Sequence, residues 1–211
     1  MSRRSNVLVS RSNSVLVLLI DASSLGDEAS VSQILEQMTP ETASRPDPRI
    51  NSTSFGLTAL HRAKTFEVAQ VLIDFGVAVS PRGPLGQTPL HTNCDNPEVL
   101  RLLLENGAQL SEKTNDGSTV LEWAVVADRL DSVELLVDMG ADIHTTNANG
   151  NTPLHLVASK RMAELLLSYG ARVSAENNEG KIPLETAAER KGEPDFALIT
   201  ELLLDVSEDR G

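Results

Sequence analysis

The side chains able to do metal or nucleophilic chemistry are few: four histidines, one cysteine and scattered carboxylates. Three of the histidines, His61, His91 and His155, stand at the fourth place of one recurring phrase, which reads TALH from Thr58 and TPLH from both Thr88 and Thr152. Zinc needs ligand nitrogens about 2.0–2.1 Å from one ion, whereas helical layers stack about 8–10 Å apart. Neighbouring copies therefore cannot share a metal, and the three rings are read as structural. His144, at the end of Asp-Ile-His, is read as an exposed turn residue. Carboxylate pairs such as Asp128 with Asp131, or Glu185 with Glu189, fall on loops or exposed helix faces. There is no nucleophile elbow, no Gly-rich phosphate loop and no HExxH. The residues predict no catalytic site, no cofactor and no metal, and hence no enzyme.

Looser copies of the phrase read TVLE from Thr119 and IPLE from Ile182, so the steps between first positions are 30, 31, 33 and 30 residues. Each of the first four copies closes an apolar run with Gly, at Gly76, Gly107, Gly140 and Gly170. Phrase, period and closing Gly together resemble the ankyrin repeat, a β-turn followed by two antiparallel helices. The resemblance covers residues 51–190. It implies an all-α ankyrin-repeat solenoid of helix-turn-helix units with β-hairpin turns, and a protein-binding role. It also implies that the phrase histidines hydrogen-bond neighbouring backbone and Thr, and that Cys94, in place of a small buried Ala, is a buried inert thiol. Asn93 beside it replaces another small residue and needs a partner, the nearest being carbonyls of its own short helix or the turn at Asp95.

The elements follow from local chemistry. Residues 1–13 read as a flexible N-terminus. Residues 14–50 read as a degenerate capping repeat and a Pro-rich loop, with helices over 15–22 and 28–38 and a turn at Gly26. Full repeats follow at 51–80, 81–111, 112–144 and 145–174, then a C-terminal capping repeat at 175–206 and a tail at 207–211, all in one domain. Thr at the head of each phrase caps the first helix and Pro fits its first position. Thr119 and Glu122 make a capping box, while Ile182 cannot cap. Second helices carry the core stripe: Val68, Val71, Leu72; Val99, Leu102, Leu103; Val133, Leu135, Leu136; Ala163, Leu165, Leu166; Ile199, Leu202, Leu203.

From Thr to closing Gly the third copy runs 21 residues, but the first, second and fourth run 18, 19 and 18. The missing residues lie between the two helices. First helices of these three repeats should be short by nearly a turn, and the groove they line shallower.

Net charge is −12, with residues 112–144 and 175–211 contributing −6 each. Such a surface repels phosphates, so the expected partner is a protein, basic or of mixed charge, with no nucleic acid and no membrane. The longest apolar run, 15–20, has six residues, too short to span a bilayer. A lone cysteine fits a reducing compartment. The expectation is an intracellular monomer, cytoplasmic or nuclear; the Arg- and Ser-rich residues 1–20 leave organellar targeting as an alternative. Trp123 is read as packed between repeats.

The resemblance places the partner surface on hairpin tips and the exposed side of first helices. The candidate residues are Phe55 and Leu57; Leu85 and Gln87; Asn115, Asp116 and Ser118; Asn149 and Asn151. Phe55, Leu57 and Leu85 are apolar where tips are usually polar, which marks either an interface or a surface covered by residues 39–50. The function expected is an adaptor or inhibitor; the alternative is a permanent structural or assembly subunit of a larger complex.

Overall fold

The computed structural model describes residues 18–38, 56–189 and 194–209, and side chains within these except at 37–38, 194–196 and 207–209. Residues 1–13, expected as a flexible N-terminus, the expected Pro-rich loop and Phe55 lie outside the described residues. Among those described there is no strand, and the fold is all-α. The chain divides into two compact units, Met1–Gln109 and Leu110–Gly211.

In the first unit, α1 (18–25) turns at Gly26 into α2 (Glu28–Met38). A 3₁₀ turn, Ala59–Arg62, precedes α3 (Phe66–Asp74), and α4 (Pro89–Thr92) precedes α5 (Pro97–Glu105). The longer helices are amphipathic. α5 buries Val99, Leu100, Leu102 and Leu103, a one-sided set at i, i+1, i+3 and i+4. It packs on α3, which also packs on α2 and buries Val68, Ala69 and Leu72. Each fully buried Leu stabilises the fold by roughly 1.5–3 kcal/mol. α5 ends because Gly107 adopts φ 97°, so that Ala108 N–H donates to Leu103 O at 3.0 Å and closes the last turn.

The second unit holds α6 (Val120–Val126), α7 (Leu130–Asp138), a 3₁₀ turn at Pro153–Leu156, α8 (Lys160–Ser168), α9 (Pro183–Glu189) and α10 (Pro194–Asp209). α10 runs beyond residue 206, into what reads as a tail in the sequence. Its core is Val133 and Leu136 on α7, Met162, Ala163 and Leu166 on α8, and Ile199 and Leu203 on α10. Met162, fully buried, is absent from the expected stripe; Val71, Leu165 and Leu202 within it are only half-buried.

First-helix lengths follow the spacing. The three short copies make a four-residue 3₁₀ turn, a four-residue helix and a second four-residue 3₁₀ turn, whereas α6 has seven residues. α6 stops at Asp128, whose φ of 55° is a left-handed conformation that Asp adopts more readily than most other side chains. The Ser159 hydroxyl donates to Asp128 Oδ1 at 2.6 Å and fastens that turn.

Candidate partner-binding surface

Each hairpin grows out of the phrase that follows it, so the phrase fixes what the tip can present. In the first unit Thr58 N–H donates to His61 Nδ1 at 3.1 Å and the Thr58 hydroxyl meets the same nitrogen at 2.9 Å. Because Nδ1 accepts, the ring proton sits on Nε2, which donates to Gln87 O at 3.2 Å. His155 repeats this with Thr152 N–H at 3.1 Å and Lys181 O at 3.0 Å. Thr88 N–H donates to His91 Nδ1 at 3.2 Å. These rings are fasteners. They pin a first-helix N-terminus and, for His61 and His155, the base of the next hairpin. Burial holds both below the ordinary histidine pKa, opposed by the bond to the carbonyl. Among the described residues no cluster of His, Cys, Asp or Glu could hold a metal.

Asn93 is 4% exposed and donates from Nδ2 to Pro89 O at 2.8 Å, within its own short helix, and to Leu60 O at 3.1 Å, on the preceding repeat. The carbonyls of the truncated helices are what an otherwise awkward amide satisfies. Cys94 is buried. His144 is exposed, and Trp123 is half-buried. Ile182 lacks a capping hydroxyl, yet its N–H donates to Glu185 Oε2 at 2.8 Å, so half a capping box survives there. Glu185 is thus a capping side chain as well as a surface acid. Glu189 is also engaged, paired with Lys181 at 2.8 Å.

The hairpins are built by one backbone pattern. Gly83, Thr114, Asn147 and Asn177 N–H donate to the carbonyls of Gln87, Ser118, Asn151 and Lys181 at 2.7, 2.9, 3.2 and 2.9 Å. A side-chain oxygen then braces each tip. Gln87 Oε1 accepts from Leu85 N–H at 2.8 Å, Asp116 Oδ1 from Ser118 N–H at 3.3 Å, Asn147 Oδ1 from Asn149 N–H at 3.0 Å and Asn177 Oδ1 from Glu179 N–H at 2.9 Å. The bracing role of Asn147 and Asn177 escaped the sequence reading, although an Asn before a turn glycine is its usual signature.

The candidate residues separate accordingly. Leu85 is 63% exposed, and Asn115, Asp116 and Asn149 are exposed as well. Leu57 is half-buried, its side chain lying against Gly83, where a Cβ would clash with Leu57 Cδ2 at 2.9 Å. Gln87 and Ser118 are each only 7% exposed and belong to the inside of their hairpins. Asn151 is half-buried, its Oδ1 accepting from Asn177 Nδ2 at 2.8 Å. In the second unit the tips are tied edge to edge: Ala148 N–H donates to Asp116 O at 2.8 Å and Asn178 N–H to Asn149 O at 3.0 Å. The Thr114 hydroxyl, then Ser118, hold the Asp116 carboxyl below its ordinary pKa, so this tip carries a fixed negative charge.

Comparison with known proteins agrees with this geometry. The family model described as ankyrin repeats in three copies matches residues 18–113, 66–147 and 139–208. BCL-6 corepressor-like protein 1 of Homo sapiens is 31% identical over 146 residues, 66% of this chain but 8% of that protein. Protein PhlB of Serratia liquefaciens is 39% identical over 92 residues, 42% of this chain and 40% of that one. The chain thus spans less than half the length of either relative. Among solved structures, the ankyrin repeat domain of Bcl-3, described as a unique member of the IkappaB protein family, superimposes with a TM-score of 0.72 at 26% identity. That match covers 89% of this chain and 85% of that one.

Proposed function

The chain belongs to the ankyrin repeat family, whose repeats are protein–protein interaction modules, and on that premise we propose a non-enzymatic adaptor or inhibitor that engages its partner through hairpin tips. The observation that carries this reading is Leu85. It is a large apolar side chain, 63% exposed, on a tip that Gln87 braces from inside. An exposed apolar group on a backbone already held in place loses less conformational freedom on binding, which suits an anchor. Asn115, Asp116 and Asn149 offer polar contacts, and Asp116 with the acidic second unit favours a basic or mixed-charge protein. The corepressor-like relative and the IkappaB-family neighbour support a cytoplasmic or nuclear setting. Among the described residues no helix is long and apolar enough to cross a membrane.

Affinity capture with the intact chain, run beside Leu85→Asp and Asp116→Asn, tests the proposal. A specific partner should be recovered by the wild type and lost by Leu85→Asp while the thermal midpoint is unchanged. Equal recovery by both variants would move the interface off the tips.

A further inference from the structure

The third repeat replaces the phrase histidine with Glu122, and the substitution changes the physics of the fastener. Glu122 is 1% exposed. Its Oε2 accepts from Thr119 N–H at 2.7 Å, which is the bond that His61, His91 and His155 make through Nδ1. The parallel ends there. His61 and His155 turn a second nitrogen, carrying a proton, to a carbonyl of the next hairpin, whereas Glu122 Oε1 is buried with no hydrogen-bond partner. The Thr119 hydroxyl faces the Glu122 backbone N–H in the box arrangement but makes no well-formed bond.

Within its own unit the charges around Glu122 pull in both directions. Lys113, on the hairpin, attracts a negative Glu122, while its Nζ also donates to Thr146 O at 2.8 Å. Asp116, on the same hairpin, repels it. The 3₁₀ turn packed on α6 contributes His155, whose two nitrogens are taken by Thr152 and Lys181. The charged residues of α7, namely Asp131, Glu134 and Asp138, are exposed. An ionised carboxylate here would leave one oxygen buried and unsolvated, the situation that most strongly favours the neutral acid. The Thr119 N–H and the helix N-terminus pull the other way.

We propose that Glu122 keeps its proton in the folded chain at pH values where exposed carboxylates have lost theirs, and that this proton stabilises the third repeat. The proton sits on Oε1, while Oε2 stays the acceptor for Thr119 N–H. Burial as the leading influence raises the group above its ordinary value of 4.5. A folded-state value above the unfolded one makes a stabilising contribution that is complete below the unfolded value and lost as pH rises through the folded value. The third repeat therefore tightens on acidification, opposite in sign to the histidine boxes.

Two measurements on the full chain test this. In a pH titration followed by ¹³C NMR with assigned side-chain carboxyls, the Glu122 midpoint should lie above 4.5, and that of Glu179, held down by Lys181, below it. A Glu122 midpoint at or below 4.5 would overturn the proposal. In parallel, the thermal midpoint of Glu122→Gln, which cannot ionise, should gain on wild type as pH rises from 4.5 towards neutrality. A difference constant across that range would also overturn it, and the NMR arm decides alone if the variant does not fold.

Discussion

The two units put one phrase to different uses. Residues 1–109 carry 11 acids and 9 bases, and residues 110–211 carry 19 acids and 9 bases, so nearly all of the excess negative charge belongs to the second unit. Their tips differ in the same sense. The described first-unit tip ends in Pro84 and Leu85, while those of the second end in Asn115 and Asp116, Ala148 and Asn149, and Asn178 and Glu179. Backbone hydrogen bonds tie the second-unit tips into a ridge. On the function proposed above, one unit offers an apolar anchor and the other a polar ridge with a long-range field. Anchors set dissociation and fields set encounter, so the difference separates strength of binding from speed.

Core truncation should have the largest effect. Leu103→Ala in the first unit and Leu154→Ala in the second, at 0% and 1% exposure, should each cost about 2–5 kcal/mol in chemical denaturation. If either proved as mild as an exposed-site change, that unit's core would be misplaced.

Loss of a fastener comes next. His155→Ala leaves Thr152 N–H and Lys181 O without their ring partner and should cost about 1–3 kcal/mol. The histidines also set a pH dependence. Burial lowers His61 and His155 below 6.5, so the unfolded chain binds protons first. Their contribution is complete above 6.5 and lost as pH falls below it through the folded values. Urea midpoints for wild type should drop over that interval, and for His155→Ala by less. Parallel curves would mean that His155 titrates alike in both states.

The smallest effects belong to the exposed ends of the boxes. Glu185→Ala removes the bond to Ile182 N–H at an exposed helix start and should cost under about 1 kcal/mol. A loss as large as that of His155→Ala would show that the two caps contribute alike.

Much of this is legible in the residues because repeat chemistry is local. Thr-Pro-Leu-His states a cap, a first-turn proline, a core leucine and a fastener in four letters, and a spacing of 18 instead of 21 states a lost turn. The partner surface is less legible. Leu85 and Asp116 can be found as tips by counting from the glycine, but Gln87 and Ser118, two residues on, point inward. Polarity at a tip does not distinguish a side chain that greets a partner from one that braces the turn. Glu122 reads equally well as an ordinary capping-box acid. Only its burial and its unsatisfied oxygen reveal the difference.

Association and dissociation rates with the captured partner, measured across salt concentrations for wild type, Leu85→Ala and Asp116→Asn, test the division of labour most directly. Leu85→Ala should weaken binding by about 1–3 kcal/mol through faster dissociation, with the salt dependence of association intact. Asp116→Asn should slow association and flatten its salt dependence while leaving dissociation nearly unchanged. Unaltered affinity in a folded Leu85→Ala would contradict the account and direct the search for the interface to another face.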